Sequence, residues 1–324
     1  MKQALTFDDV LIVPAYSEVG SRLDPDTTSM GLDVPLLSAN MDTVTGPDMA
    51  IAMDAAGGMG VLHRFMPKDM LLDAIAQIRG HTPDVAVSVG IGKSAKRFVD
   101  WCDVLIYAGV TTLVLDVAHG HQKRVIECLM EYGDRHATMI AGNVATREAV
   151  EDLLEAGADW VKVGIGPGSA CTTRTVTGIG VPQFTAIHDC RDLPIIADGG
   201  VKTTADFVKA VAAGADAVMC GSLFAGCTES PGELIETDTG LRKQFRGSSS
   251  SEAREEFGLT ERIAEGVSGS VPFAGLVADT MQVYQTALQS AMSYVGARSV
   301  EELQAKAEFV RVTPSSLHES GPRI

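Results

Sequence analysis

No apolar run in the 324-residue sequence approaches the roughly twenty residues that span a bilayer. Its start, Met1 to Asp9, also has no apolar signal-peptide core. The expectation is a cytoplasmic protein that does not engage a membrane. Basic residues are scarce: 26 Lys and Arg against 42 Asp and Glu leave a formal net charge of −16. Polyanions are held by basic patches, so the charge argues against a general nucleic-acid-binding surface. A single small phosphorylated ligand is not excluded, because backbone N–H groups in glycine loops and at helix N-termini bind one phosphate without lysine. The six cysteines (Cys102, Cys128, Cys171, Cys190, Cys220 and Cys227) contain no CxxC pair and join no His/Cys cluster at zinc spacing. Reduced thiols are expected, five of them as small buried apolar residues. The opening of the chain also lacks a GxGxxG fingerprint, which disfavours a Rossmann domain.

What is present is 45% hydrophobic and 21% charged residues, enough to bury a substantial core. Eight short apolar runs recur along the chain: 35–38, 60–63, 85–89, 112–116, 138–142, 160–164, 193–197 and 217–221. They do not alternate apolar with polar, which suits parallel strands buried on both faces. The stretches Glu148–Gly157 and Ala205–Gly214 have helical periodicity and stop on glycine, and each then continues Ala-Asp into the next run. Eight strand–helix units predict one (β/α)8 TIM barrel domain over residues 1–324. Residues 228–270 break the pattern after the eighth strand. This excursion, with its Ser248–Ser251 run and the charged stretch to Glu265, reads as a mobile lid or a solvated loop. Helices over Asp279–Val295 and Val300–Phe309 close the domain.

Polar residues and glycines collect where the strands end, at the barrel face that carries active sites. The loop after the sixth run holds Gly164, Gly166, Pro167, Gly168, Ser169, Cys171 and Thr173. Its amides can face an anion, or its carbonyls a cation. Ser169 would donate to a phosphate, and Cys171 would act as a nucleophilic thiolate. The same residues would equally make a tight turn around a buried cysteine. Asp198-Gly199-Gly200 and Gly221-Ser222 follow the seventh and eighth runs, where barrels often bind phosphate. With Ser169 they would address one phosphate; otherwise the glycines only make turns.

The run Val161–Arg174, continuing through Thr177–Gln183, resembles the catalytic loop of the IMP dehydrogenase/GMP reductase family. Leu5–Leu11, Met41–Thr45, Ala197–Gly200 and Glu229–Glu233 look like motifs of the same family, so the resemblance covers most of the chain. It implies a barrel assembled as a homotetramer, in which the Cys171 thiolate attacks purine C2. A hydride then passes between C2 and a nicotinamide cofactor by way of a covalent thioimidate. It further implies Ser38, Asn40, Ser169, Asp198, Gly200, Gly221, Ser222, Arg262 and Gly266 around the nucleotide. Asp116, Ala118, Asn143 and Thr173 would lie near the cofactor. The backbone of Gly164, Gly166 and Cys171, with the tail Ser316–Pro322, would hold a monovalent cation such as K+.

The two branches of the family run opposite net reactions. Dehydrogenases oxidise IMP with NAD and hydrolyse the intermediate to XMP, using an Arg-Tyr pair on a flap. Reductases expel ammonia from GMP and form IMP with NADPH, using a Thr-Glu pair. Here no tyrosine lies between Tyr132 and Tyr284. Arg262-Ile263-Ala264-Glu265-Gly266 resembles the Arg-x-x-Glu-Gly of reductases, with Thr173 as partner to Glu265 in proton transfer. Asn40 before Met41-Asp42 is similar to reductases, and His63–Met66 leaves no room for the paired CBS domains usual in dehydrogenases. Asp116–His121 and the tail are similar to dehydrogenases. The reading is an NADPH-dependent reductive deamination of GMP by Cys171, Thr173 and Glu265. The alternatives are an IMP dehydrogenase without CBS domains using NAD, a related reaction on a deoxy or modified purine nucleotide, or a nucleotide-binding protein without turnover.

Overall fold

A strand interior to a barrel must satisfy two apolar layers at once, and the eight runs do so. The computed structural model describes residues 3–238, 240–258 and 263–320. A short β1 (Val10–Ile12) precedes the barrel. The barrel strands are β2 (Leu36–Ser38), β3 (Met59–Leu62), β4 (Ala86–Val89), β5 (Thr112–Asp116), β6 (Thr138–Val144), β7 (Trp160–Val163), β8 (Ile195–Asp198) and β9 (Ala217–Cys220). Each pairs in parallel with the next, and Leu36, Leu37 and Ser38 of β2 pair with Val218, Met219 and Cys220 of β9 to close the cylinder. Alternation divides the side chains. Leu37, Val61, Val114, Ile140, Ile196 and Met219 fill the interior. Leu36, Leu113, Leu115, Val161 and Val163 join the layer between strands and helices.

The helices α1 (Pro47–Ala55), α2 (Lys68–Arg79), α3 (Ala95–Ala108), α4 (Lys123–Tyr132) and α5 (Arg147–Glu155) follow β2 to β6 in turn. A one-turn α6 (Thr173–Thr177) and α7 (Gln183–Asp189) follow β7, and α8 (Thr204–Ala212) and α9 (Ser222–Ala225) follow β8 and β9. Thr203 accepts from Asp206 N at 3.2 Å while the Asp206 carboxylate takes the Thr203 amide, a capping box opening α8. Gly214 ends the same unit at φ +118°, where a Cβ would come within 2.6 Å of Arg191.

Two regions hold strands that the sequence patterns did not show. The excursion contains regular structure: β10 (Leu234–Thr237), β11 (Gly240–Arg246), α10 (Ser251–Phe257) and β12 (Ser268–Pro272), with the strands antiparallel in the order β10-β11-β12. Ser250, in the serine run, caps α10 by accepting from Ala253 N at 3.2 Å. After α11 (Val277–Val295), the next helix α12 (Val300–Lys306) stops short of Phe309. Phe309 instead opens β13 (Phe309–Arg311), which pairs antiparallel with β1, and its ring meets Phe184 edge-on at 4.9 Å. A pairing partner far upstream, Ile12, overrides helical periodicity there. A short α13 (Pro314–Glu319) follows. No helix among the described residues is long and apolar enough to cross a membrane.

Candidate active site

The C-terminal strand ends surround a cavity of about 550 Å³. Of the residues singled out in the sequence, Asn40, Asp116, Ala118, Asn143, Gly164, Gly166, Ser169, Cys171, Thr173, Asp198, Gly200, Gly221, Ser222, Glu265 and Gly266 all line it. Ser38 does not. It is fully buried, and its hydroxyl is shared with Thr45 Oγ1 at 2.8 Å, while Asn40 two residues on lines the cavity. Arg262 lies outside the described residues.

The cysteine loop owes its path to glycine. At Gly164, φ is +157° and a Cβ would lie 1.9 Å from the Asp198 carbonyl, so the end of β8 approaches the loop backbone at a position no side chain can occupy. The loop then runs antiparallel to the segment before β12. Cys171 and Gly266 form a β-bridge, Thr172 N donates to Glu265 O at 2.9 Å, and Val267 N donates to Ala170 O at 2.9 Å. This pairing carries Glu265 to the cysteine. Half-buried Cys171 donates its S–H to Thr173 Oγ1 at 3.1 Å, and the Thr173 hydroxyl donates to Glu265 Oε2 at 2.8 Å. A thiol, a hydroxyl and a carboxylate in series can move the thiol proton away and return it elsewhere.

Beneath the loop is a charged floor. Lys162 Nζ donates to Asp116 Oδ1 and to Asp198 Oδ2, both at 2.7 Å. Asn40 Nδ2 donates to Asp116 Oδ2 at 3.0 Å, and Asn143 Nδ2 to Asp198 Oδ2 at 2.9 Å and to the Gly164 carbonyl at 2.8 Å. Burial alone would push the Asp116 pKa up, but the Lys162 ammonium and the Asn40 amide more than offset it and hold it below the usual carboxylate range. Burial likewise works against the charge on Lys162, and the two carboxylates overcome it to raise its pKa.

Sequence reasoning passed over Lys162. The signal was available: Val161 and Val163 face the helix layer, so strand alternation sends Lys162 into the barrel, where a charge requires counter-charges. Gln183 was also missed. It is buried at the start of α7 and donates from Nε2 to the carbonyls of Val163 at 2.8 Å and Asp198 at 3.3 Å, tying β7 to β8.

Ser169, Gly200, Gly221 and Ser222 line the same cavity with hydroxyls and backbone from three adjacent loops. The described residues contain no group of three His, Cys, Asp or Glu side chains placed to hold a metal. A cation at the loop would therefore rest on neutral carbonyls, of which Gly164 already accepts from Asn143.

Comparison with known proteins identifies the family. A model of the IMP dehydrogenase / GMP reductase domain matches residues 4–323. The chain is 35% identical to inosine-5′-monophosphate dehydrogenase of Cryptosporidium parvum, over 98% of this chain and 94% of that protein. It is 36% identical to the enzyme of that name from Borreliella burgdorferi, over 99% and 97%, and 33% identical to that of Aquifex aeolicus, over 99% and 95%. The chain belongs to the IMP dehydrogenase/GMP reductase family, the NAD(P)-dependent oxidoreductases of purine nucleotides.

Proposed function

We propose that this member runs in the reductase direction, converting GMP to IMP and ammonia with NADPH. One observation carries the reading: a carboxylate, Glu265, reaches the reacting thiol through Thr173. The nucleotide lies with its phosphate toward Ser169, Gly200, Gly221 and Ser222 and its base over Cys171. Asp198 sits between them; as an anion it is repelled by phosphate and accepts from ribose hydroxyls instead. The Cys171 thiol passes its proton through Thr173 to Glu265, and the thiolate adds to C2 of guanine. Glu265 returns the proton to the departing amino group, so ammonia leaves and a C2–S thioimidate remains. The nicotinamide cofactor, when bound, supplies the hydride that C2 accepts before the thiolate is released. Asn143 Oδ1, buried and without a partner among the described residues, is an acceptor suited to the carboxamide N–H of such a ring. Asp116 and Ala118 line the same end. In this reading the chain is one catalytic domain without CBS domains, working as a homotetramer, with a monovalent cation on the carbonyls of Gly164, Gly166 and Cys171.

The second reading, IMP dehydrogenase, is favoured by the names of the relatives. Glu265 would then draw the proton from an attacking water. No tyrosine between Tyr132 and Tyr284 is present to complete an Arg-Tyr pair.

Absorbance of the reduced cofactor separates the two. GMP with NADPH should oxidise the cofactor and release ammonia, and IMP with NAD should give no XMP; steady XMP formation would reverse the assignment. Cys171→Ala should abolish turnover in either direction. Glu265→Gln should lower kcat by about 10²–10³ with little change in GMP affinity, as for loss of a general acid–base group.

A further inference from the structure

Asp198 is held asymmetrically. Both of its side-chain donors, the Lys162 ammonium at 2.7 Å and the Asn143 amide at 2.9 Å, converge on Oδ2. No donor among the described residues reaches Oδ1, although Asp198 lines the cavity. Lys162 is 1% exposed and anchored on its far side by Asp116, whose other oxygen is taken by Asn40. A lysine gripped from two sides in a packed interior has no freedom to follow a ligand, so it dictates the carboxylate's rotation. We propose that Lys162 is a positioning residue that sets sugar selectivity. By pinning Asp198 Oδ2 it leaves Oδ1 to accept from the ribose hydroxyl pair, so that ribonucleotides are taken over 2′-deoxyribonucleotides.

A purely structural lysine would neutralise the two carboxylates and hold the barrel together, and its loss would weaken every nucleotide alike. A positioning lysine has a different signature. Without it, Asp198 Oδ2 keeps only the neutral Asn143 amide, the carboxylate can rotate about that single hydrogen bond, the 2′-hydroxyl loses its fixed acceptor, and ribo- and deoxyribonucleotides converge in affinity. The inference rests on the purine-nucleotide reading above. IMP is bound whichever way the hydride travels, as product or as substrate, so a wrong direction of reaction does not affect this test.

The test is calorimetric titration of the full-length protein with IMP and with 2′-deoxy-IMP. The wild type should prefer IMP by about 10- to 100-fold, the range for one hydrogen bond to a charged group. In Lys162→Met the two affinities should come within about threefold, mainly through weaker IMP binding. Because Lys162→Met strands two buried carboxylates, circular dichroism and thermal melting accompany it. Lys162→Met combined with Asp116→Asn removes one carboxylate with the ammonium and provides a second folded background for the same ratio. A folded variant that keeps the wild-type preference overturns the proposal, as does a wild type that binds both nucleotides equally.

Discussion

Gly164 and Gly168 sit four residues apart in one loop, yet the surroundings assign them different tolerances. An alanine methyl at 164 would overlap the Asp198 carbonyl at 1.9 Å on a backbone with φ +157°, whereas at 168 its nearest neighbour is Cys171 Cβ at 3.4 Å, ordinary contact. Gly164→Ala should therefore cost about 2–4 kcal/mol of stability and shift Asp198, while Gly168→Ala should cost less than about 1 kcal/mol. Urea unfolding midpoints measure both; equal costs would remove the steric argument. Legibility follows the same division. The density of glycine in the loop was plain in the sequence, but which glycine is indispensable depends on a carbonyl that arrives from β8. Ser38 shows the same dependence, since the linear chain does not reveal that its hydroxyl is buried against Thr45.

At the scale of elements, the excursion after β9 is joined to the barrel through Phe245 in the main core and through contacts at the barrel mouth. Phe257 of α10 stacks on Phe65, centroids 4.7 Å apart and planes within 8°. Arg246 of β11 bridges Asp42, through Nε at 2.8 Å, and Glu256 of α10, at 2.6 Å. These contacts flank the strand-like segment that delivers Glu265. A stacked pair adds about 1 kcal/mol beyond its area, so Phe257→Ala should deplete the docked arrangement by about fivefold. The expected readout is faster proteolytic cleavage around residues 247–258 and a fall in kcat of similar size. The melting temperature should hardly change, because Phe257 is outside the main core cluster. A drop in melting temperature of many degrees with no kcat effect would contradict this assignment. The barrel strands and the helices around them were legible because one buried face repeats locally along each. The β10–β12 sheet and the β1–β13 pair were not, because these strands are partly exposed, without a continuous buried run, and acquire their identity from partners elsewhere in the chain.

For the whole molecule, the two ends of the barrel divide the work. Asp216 enters β9 from the end opposite the cavity and accepts from Ile195 N at 2.9 Å. Burial, only partly countered by that bond and by Trp160, pushes its pKa up to about 6 from 3.8. With the folded value above the unfolded one, the native state binds the proton more tightly. The group therefore favours the fold fully below about pH 4, and that contribution is lost as pH rises through about 6. At pH 8 the buried charge weighs against folding by up to about 3 kcal/mol, from roughly two pKa units at 1.36 kcal/mol each. Asp216→Asn should raise the urea midpoint at pH 8 relative to wild type and lose that advantage near pH 4.5. A difference independent of pH would mean that Asp216 is not the titrating group.

The amino-acid sequence by itself determined the barrel, the cysteine loop and the membership of a purine-nucleotide oxidoreductase family. Each is written in contiguous residues, either a repeating buried strand face or an unbroken glycine-cysteine motif. Only the tertiary structure decided that Lys162 faces two carboxylates 46 and 36 residues away, and that Glu265 meets Thr173 across 92 residues. A charge or a carboxylate has no direction in a linear chain. Its partners are settled when strands close into a cylinder and a later segment lies down beside an earlier loop, which brings together groups that no local pattern connects.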